Sequence, residues 1–439
     1  MNDNSKELVI ENADIISKTP QRRLIIEILK SAFSALDPEK TSAKFAESII
    51  RDNPTMRNLY VIGFGKASLK MYGGIRKYTS RIAKYSGIII PVGEDIGANY
   101  PELEILHGNH PIPGKDTKYS SEKLLNKIRE HGADDVIMVI ISGGGSALFE
   151  IPEEPYNIEQ IGDLAGCLMR AGANIRELNI VRQSMSRVKG GKLAGILYPS
   201  RIYAPIISDV PGDSLEIIAS GPLTPPSYES AELSAIIAKY ESECSLLGKI
   251  KDNPSVMKTD SRYFSRIRSE LILKNRDFVD RIASELENRG EQVFKIDDPV
   301  TGDVETVAME LAKTVRSRYE TSKRNFWLIG GGETTAMVHG NGIGGRNCEL
   351  SLRFALRMKN GEKFLFSSVG TDGIDGISPA MGGITDSWFN ERTASSDIEK
   401  ILENSDSYTL LHQNDSAIIT GYTGTNVSDI FIIYYAGTV

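Results

Sequence analysis

Short apolar runs alternate with helical spacing along most of the chain. The runs predict strands over residues 59–62, 87–92, 135–141 and 202–208. Helical spacing predicts helices over residues 20–50, 121–131 and, as a pair, 159–188. Alternating strands and helices favour βαβ units with a parallel sheet. The uninterrupted apolar character of the strands agrees, because parallel strands are covered on both faces.

A polar stretch rich in Pro and Ser over residues 222–262 interrupts this alternation and predicts a connector between domains. A second alternation follows, with strands over 270–273, 292–296, 326–329, 364–369, 416–420 and 429–435, and helices over 276–288, 304–318 and 347–358. We therefore predict two α/β domains, residues 1–245 and 246–424, followed by a final strand near 425–439.

The composition limits which binding partners and which cellular compartment we expect. The 439 residues carry a net charge of −7, which argues against nucleic-acid binding. No apolar run reaches the ~18–20 residues of a membrane helix, and the polar N-terminus does not resemble a signal peptide. Cys167, Cys244 and Cys348 lie far apart, so we expect neither a disulfide framework nor a CxxC metal site. We expect a cytoplasmic protein with no membrane partner.

The 40 glycines concentrate in loops that follow predicted strands, where ligands bind in open α/β sheets. In the first loop, Gly63 and Gly65 would let backbone amides approach an anion, and Lys66 adds a cation. The dinucleotide motif is incomplete, because Ser68 replaces its third glycine and Pro91-Val92, not an acidic residue, ends the next strand. The alternative is a tight turn with a solvated lysine.

A second glycine loop follows the most apolar strand. Its three consecutive glycines favour a nest of N–H groups around an anion, with two hydroxyl donors beside it. The alternative is a flexible loop. The predicted anion-binding residues are Ser142, Gly143, Gly144, Gly145 and Ser146. A P-loop is excluded, because the chain has no GxxxxGK[ST] motif.

Two further segments carry charges suited to phosphate chemistry. Lys189 and Lys192, with Arg182 and Arg187 nearby, flank a Gly-Gly turn that reads either as a phosphate site or as a solvated helix end. Asp209 and Asp213 follow a strand and suit Mg²⁺ or base chemistry. The alternative for the two aspartates is an Asx-type turn.

In the second half of the chain, polar and charged residues again lie in glycine-rich loops that follow predicted strands. Glu333 follows the strand over 326–329, and a glycine-rich loop containing Asn341 leads to Arg346 and Asn347 at the start of a helix. Arginine offers a rigid fork of donors that matches carboxylate or phosphate. Asp372 and Asp375, between glycines, resemble a metal or polar-ligand loop. His107 and His110 form an HxxH motif without a third ligand nearby, which makes a metal site a minor alternative.

Taken together, these loops are similar to one enzyme family. The motifs GFGKAS, ISGGGSALFEIP, VKGGKLA, SDVPGDSLEIIASGP, GGETTA, GNGIGGRNCEL and GTDGIDG occur in this order. They resemble the glycerate kinases that phosphorylate the 2-hydroxyl, over residues 20–435. Residues 325–435 resemble that family's terminal domain, the leucine-rich multi-organism-fragment type. One departure is Cys348, where relatives often have glutamine.

The resemblance implies transfer of the ATP γ-phosphoryl group to D-glycerate, giving 2-phosphoglycerate, with Mg²⁺ or another divalent cation. It implies a Rossmann-like N-terminal domain, a smaller C-terminal α/β domain, a site in the interdomain cleft, and a final strand near 425–439 that returns to the first domain. Lys66 and Arg346 are the implied catalytic residues. We add Asp209 as a catalytic candidate, with Asp209, Asp213 and Asp372 as metal ligands. D-glycerate and ATP are the expected partners of a monomer or small homo-oligomer.

Two other functions fit parts of the pattern. A nicotinamide-dependent hydroxy-acid reductase would use the GxGxx turn, but an acidic ribose contact is not recognisable in the sequence. A non-catalytic regulator that binds nucleotides or sugar phosphates would have little use for Lys66 and Arg346 together with the aspartates. An assay with D-glycerate, ATP and Mg²⁺ separates the three functions.

Overall fold

The computed structural model describes residues 8–93, 100–226, 228–252 and 260–438. The chain divides into two compact units. Pro38–Leu273 form the parallel-sheet unit, and Met1–Asp37 with Lys274–Val439 form the mixed-sheet unit. This division differs from the predicted domains 1–245 and 246–424 at both ends.

The N-terminal helices α1 (Ala13–Ile16) and α2 (Pro20–Ala35) belong to the mixed-sheet unit. Helix α2 begins after Thr19, whose hydroxyl accepts the N–H of Arg22 at 3.3 Å. The fully buried Arg22 guanidinium donates to both carboxylate oxygens of Asp386 at 2.9 Å. This contact spans 364 residues of sequence, so a boundary drawn from chain order alone could not place the N-terminal segment correctly.

The parallel-sheet unit confirms the predicted βαβ series. Its helices are α3 (Pro38–Asp52), α4 (Ser68–Thr79), α5 (Lys115–Lys127), α6 (Gly145–Leu148), α7 (Ile158–Arg170), α8 (Ile175–Met185), α9 (Lys192–Leu197), α10 (Ser230–Tyr240) and α11 (Leu247–Asp252). Its strands are β1 (Leu59–Phe64), β2 (Ala83–Pro91), β3 (Glu104–Gly108), β4 (Val136–Ile141), β5 (Arg201–Ile207) and β6 (Ile267–Leu273). The six strands pair in parallel in the order β3-β2-β1-β4-β5-β6. Strand β3 was not predicted from the sequence.

The centre of this sheet is apolar on both faces. Every residue of β1 and β4 is buried, and Ile62 pairs with Val139 between them. A hydrophobic cluster that includes Ile62, Val139 and Leu193 fills the space between the sheet and its helices. Burial on both faces explains why these strands read as uninterrupted apolar runs.

The boundary predicted at residue 245 is wrong. Strand β6, expected to open the second domain, pairs with β5 in parallel, with Ile202 opposite Ile267. Helices α10 and α11, in the predicted connector, bury Ile237 and Leu247 against residues of α7 and α8. The polar surface of the connector gave no sign of this buried side, because an amphipathic helix exposes its other face.

The sequence predicted no disulfide framework, and the structure contains one disulfide. Cys167 in α7 and Cys244 after α10 form a disulfide, with an S–S distance of 2.00 Å. The two cysteines are 77 residues apart in sequence but lie together because α7 and α10 pack in one cluster. Cys348 is buried and unpaired.

The mixed-sheet unit holds the remaining elements. Its helices are α12 (Asn275–Asn288), α13 (Val304–Ser322), α14 (Arg346–Arg357), α15 (Ser387–Asn390), α16 (Ser395–Glu403) and α17 (Ser407–Gln413). Its strands are β7 (Val293–Lys295), β8 (Val300–Asp303), β9 (Phe326–Thr335), β10 (Glu362–Gly370), β11 (Ala380–Asp386), β12 (Ala417–Ile419) and β13 (Asp429–Thr438). The sheet order is β12-β11-β10-β13-β9-β7, and β8 pairs with β9 off this path.

The final strand does not return to the first domain. Strand β13 lies between β10 and β9 and pairs with both in antiparallel fashion, so that Ile432 is opposite Ser367 and Ile329. The apolar segment of β13 is buried in the core of the mixed-sheet unit, between two strands of that unit.

None of the helices in the described ranges has both the length and the apolar composition needed to cross a bilayer.

Candidate functional site

The first group of predicted site residues lies at the switch point of the parallel sheet. From β1 the chain continues to β2 on one side, whereas β4 lies on the other side of β1. The loops after β1 and β4 therefore flank the crevice in which α/β proteins of this strand order bind ligands. The first loop contains Lys66 and the second contains residues 142–146.

Backbone and side-chain hydrogen bonds join these two loops. The Ser142 hydroxyl accepts the N–H of Ala67 at 3.0 Å, and the Gly143 carbonyl accepts the N–H of Lys66 at 2.9 Å. Gly65 has φ +124°, and a Cβ there would lie 2.3 Å from Ser142 Oγ. Glycine is therefore required where the loops touch.

These contacts correct part of the predicted anion site. The amides of Gly65, Lys66 and Gly145 donate to carbonyls within the protein and do not face a ligand. Gly63 lies inside β1, where a Cβ would be 2.8 Å from Ile140 Cβ, so this glycine serves strand packing. Within the described part of these two loops, the unused backbone donors therefore lie in the second loop.

The loop after β4 retains amide donors for a ligand. Among the described residues, none accepts the N–H groups of Gly143 or Gly144. Gly144 has φ +79°, and the position of a Cβ there is 3.5 Å from Lys66 Cγ and 3.0 Å from His110 Nε2. The half-buried Lys66 side chain thus lies along the glycine loop, as the proposed anion site requires.

Lys189 and Lys192 point into the protein. The ammonium of Lys189 is 1% exposed, lies 3.1 Å from Glu150 Oε2 and donates to the Ser146 carbonyl at 2.7 Å. The Lys192 ammonium donates to the Gln183 carbonyl at 3.0 Å and to the Ser186 carbonyl at 2.5 Å. The two lysines fasten segments of this unit together, which corrects their predicted role as phosphate ligands.

Asp209 and Asp213 follow β5, the neighbour of β4, and both are partly exposed. Asp213 has φ +55° and donates its N–H to the Val210 carbonyl, so it lies in a backbone turn. Within the described ranges, no three His, Cys, Asp or Glu side chains come together as a metal site. The structure therefore places Asp209 at the ligand edge of the sheet without a ready-made metal centre.

The second group of predicted residues surrounds the start of α14. The Arg346 guanidinium, 34% exposed, donates from Nε and Nη2 to Asp429 at 2.6 and 3.0 Å, and from Nη1 to Glu333 at 2.7 Å. Asn347 donates to Asp375 and Asp429 and accepts from Ser368 at 2.5 Å. Glu333 and Asn347, both predicted as ligand residues, help to hold this cluster together; Asn347 is buried, whereas Glu333 is partly exposed.

Three of the five N–H donors of Arg346 are used in these contacts. No other described residue accepts the remaining two N–H groups of this partly exposed side chain, so they can bind a ligand. Asp429 fixes the plane of the guanidinium, because it is bound through both carboxylate oxygens. Arg346 is therefore a preorganised cation of the kind that stabilises charge developing on a phosphoryl group.

Burial sets the ionisation of this cluster. It raises the pKa of Asp429 to about 6, against the opposing charge of Arg346. It also raises the pKa of Asp375, although the N–H groups of Cys348 and Asn347 favour the charged form. Burial would lower the pKa of Arg346, but Asp429 more than compensates and the pKa is raised.

The raised pKa of Asp429 predicts a pH-dependent stability difference. Native Asp429 binds a proton near pH 6, whereas an unfolded aspartate binds one only near pH ~3.9. Between these values the native state holds more protons, so wild-type stability rises as pH falls. Relative to Asp429→Asn, the free energy of unfolding should increase by about 2–3 kcal/mol from pH 7 to pH 4.

Urea unfolding of both proteins across this pH range measures the change. The exposed Asp397→Asn variant is the matched control, and its difference from wild type should stay nearly constant. A constant difference for Asp429→Asn as well would show that the Asp429 carboxyl titrates normally.

The remaining predicted residues lie in loops next to this cluster. Glycines 340, 342 and 344 pack against residues 404–407, because a Cβ at each would lie within 2.2–2.4 Å of that segment. This close packing explains the glycines without a ligand, and Asn341 is exposed on the loop. Asp372 is partly exposed and accepts the N–H of Ile374 at 3.3 Å, whereas Asp375 caps α14.

Sequence reasoning missed Asp429 and Glu150. Asp429 begins an otherwise apolar strand and is fully buried, and Glu150 is also fully buried. An acidic residue beside a long apolar run is a signal that can be found in the sequence, because burying a carboxylate needs a partner. The partners themselves, Arg346 and Lys189, could not have been assigned.

The strand order, with a glycine loop at the switch point, defines an α/β protein with a parallel sheet and a second, mixed-sheet unit. A domain of unknown function, DUF4147, matches residues 24–253, and the MOFRL family matches residues 326–429. The chain is 43% identical to glycerate 2-kinase of Picrophilus torridus, over 97% of this chain and 100% of that protein.

Other relatives agree in part. The D-glycerate 2-kinase of Thermotoga maritima is 31% identical over 94% of this chain and 97% of that protein. The crystal structure of glycerate kinase from the same organism superposes with a TM-score of 0.80 at 29% identity, covering 94% of this chain and 99% of that one. A protein of Agrobacterium vitis named putative hydroxypyruvate reductase is 30% identical over 93% of each chain. The chain belongs to the glycerate kinase family, as its motifs predicted.

Proposed function

We propose that this protein transfers the γ-phosphoryl group of ATP to the 2-hydroxyl of D-glycerate, forming 2-phosphoglycerate and ADP. The observation that carries the proposal is the full-length similarity, at 43% identity, to a protein named glycerate 2-kinase. The choice of the 2-hydroxyl and of ATP goes beyond the family assignment and rests on the motifs and on the names of relatives.

The geometry supports phosphoryl transfer, which depends on positioning and charge neutralisation more than on covalent chemistry. The unused amides of Gly143 and Gly144, with Lys66 beside them, suit the phosphates of a nucleotide. Arg346, held by Asp429, offers two remaining N–H donors to an anionic group. We assign to these residues the binding and orientation of the reacting groups.

A divalent cation fits this site only together with the nucleotide. The described residues contain no cluster of three metal ligands, but Mg²⁺ is commonly held by one or two carboxylates and substrate phosphates. Asp209, at the same sheet edge as the glycine loop, is the carboxylate best placed to hold it. Bound there, Mg²⁺ would neutralise phosphate charge.

Asp209→Asn is therefore expected to raise the Mg²⁺ concentration for half-maximal activity about tenfold or more, because one anionic ligand is lost. Asp213→Asn, at the turn with φ +55°, is the matched comparison and should change it less. Mg²⁺ titrations at saturating ATP measure both values. If both variants keep the wild-type Mg²⁺ dependence, Asp372 becomes the candidate.

The activity is tested by incubating the protein with D-glycerate, ATP and Mg²⁺ and measuring ADP and phosphoglycerate. An assay coupled through enolase reports 2-phosphoglycerate directly. A signal that appears only after phosphoglycerate mutase is added would show that the 3-hydroxyl reacts, and the proposed regiochemistry would be wrong.

Reduction of hydroxypyruvate is the second candidate, because relatives in Agrobacterium vitis carry that name. The turn after β1 is evidence against a dinucleotide-dependent reductase, because Ser68 replaces the third glycine of the dinucleotide motif. Oxidation of NADH or NADPH by hydroxypyruvate, followed at 340 nm, decides between the two activities. Binding of nucleotide without either turnover would favour a regulator.

A further inference from the structure

A small cavity opens beside the glycine loop of the parallel-sheet unit. Its volume is about 110 Å³, and its lining includes His110, Gly144, Ser146, Glu150 and Arg182. This is well below the ~300–1,000 Å³ of pockets for drug-sized ligands, so the cavity suits a molecule of only a few heavy atoms.

Arg182 gives the cavity an uncompensated cation. Among the described residues, none accepts a hydrogen bond from its guanidinium or forms an ion pair with it. Burial lowers the pKa of Arg182, and the charge of Glu150 opposes this effect. The group remains a cation at neutral pH, because a guanidinium is not deprotonated in proteins. A cation in such a place is costly unless an anion joins it.

Glu150 gives the same cavity an unused acceptor. Its side chain is fully buried, and its Oε2 lies 3.1 Å from the Lys189 ammonium. No donor from the described residues reaches Oε1. Because Glu150 and Lys189 balance each other's charge, Arg182 leaves the cavity with one net positive charge.

We propose that this cavity binds the acid substrate, with Arg182 holding its carboxylate and Glu150 accepting a hydrogen bond from a hydroxyl group. A cation and an unused acceptor side by side match a small molecule that carries one carboxylate and at least one hydroxyl. This assignment rests on the proposed function, since D-glycerate is such a molecule.

The lining argues against two other ligands. A nucleotide phosphate at neutral pH offers few hydroxyl donors to Glu150, and its several negative charges would be repelled by that carboxylate. A nicotinamide ring carries no anionic group to pair with Arg182. Of the two phosphate donors identified above, Gly144 lines the cavity, so an acid bound there would lie next to the glycine loop.

Ser146 belongs both to the cavity proposed for the acid and to the glycine loop proposed for the phosphates. It lines the cavity and lies in the glycine loop, and its hydroxyl is hydrogen-bonded with that of Ser220 at 3.0 Å. Ser220 in turn donates to Asn179 Oδ1 at 3.0 Å. This chain of hydrogen bonds fixes the hydroxyl of Ser146 at the point where the acid and the phosphoryl donor would meet.

The proposal is tested with the full-length Arg182→Gln variant. The KM for D-glycerate should rise about 10–100-fold, because a hydrogen-bonded charge pair is lost, while the KM for ATP should stay within about twofold. Arg182→Lys keeps the positive charge but lacks the planar guanidinium. Its KM for D-glycerate should therefore lie between those of Arg182→Gln and wild type. Arg176→Ala, in the same helix and exposed with Glu232 as its partner, is the control and should match wild type.

Calorimetric titration with D-glycerate, with and without ADP, separates this proposal from the proposed function. Binding that weakens in Arg182→Gln supports the cavity even if the wild type shows no kinase activity. An increased KM for ATP instead, or unchanged glycerate binding in a folded Arg182→Gln, would overturn the cavity assignment. Kinase activity that persists with unchanged KM for D-glycerate would overturn it while leaving the proposed function intact. If Arg182→Gln does not fold, Arg182→Lys decides by the same measurements.

Discussion

Replacing Lys66 by alanine is expected to lower kcat by about 10²–10³-fold, the usual cost of removing one preorganised charge donor. The Lys66 side chain lies along the glycine loop, with Cγ 3.5 Å from the position of a Gly144 Cβ. An ammonium there can neutralise the phosphoryl group that the loop amides bind. Steady-state kinetics with D-glycerate and ATP measure the loss.

Folding should be little affected, because Lys66 is half-buried and its backbone N–H bond to Gly143 survives the substitution. Lys118→Ala, an exposed lysine in α5 of the same unit, is the matched control and should keep wild-type kinetics. A Lys66→Ala protein that retains more than about a tenth of wild-type kcat/KM, a loss under ~1.4 kcal/mol, would remove Lys66 from the catalytic group.

Arg346→Ala is expected to lower kcat by a similar factor, about 10²–10³. It should also destabilise the protein, because the fully buried Asp429 loses the partner that binds both of its oxygens. Removing one member of a buried pair commonly costs about 3–5 kcal/mol.

The double variant Arg346→Ala with Asp429→Asn separates the two effects. Without a buried charge it should recover much of the lost stability, measured by urea unfolding, but none of the lost turnover. Arg346→Lys should rescue turnover poorly, since an ammonium cannot bind both oxygens of Asp429 and still present two donors. If the double variant regained wild-type kcat, Arg346 would be a structural residue only.

The sequence predicted the loops better than it predicted their contacts. The glycine loop over 142–146 was expected to bind an anion, and it lies at the switch point of the sheet. The turn after β1 was expected to act in the same way, yet its amides bond to carbonyls within the protein. A motif states which residues follow a strand, but only the packing of two loops decides which N–H groups stay unused.

Long-range pairing explains the other differences. Arg22 binds Asp386, Cys167 pairs with Cys244, and β13 inserts between β10 and β9, each across tens or hundreds of residues. Local sequence patterns do not show which residues far apart in the chain come into contact on folding. Domain boundaries, the disulfide and the place of the last strand were therefore the predictions that failed.

By itself, the sequence determined the α/β class, the central parallel strands, the order of the glycine loops and the family, because these follow from local periodicity and adjacent residue types. Only the tertiary structure decided that Lys189 is buried against Glu150, that Asp429 holds Arg346, and that Arg182 lines a cavity with no hydrogen-bond acceptor among the described residues. The sequence does not distinguish a charged residue that is solvated from one that is paired within the protein or one that binds a ligand. Its burial and its neighbours, which arise only on folding, set which of these it is.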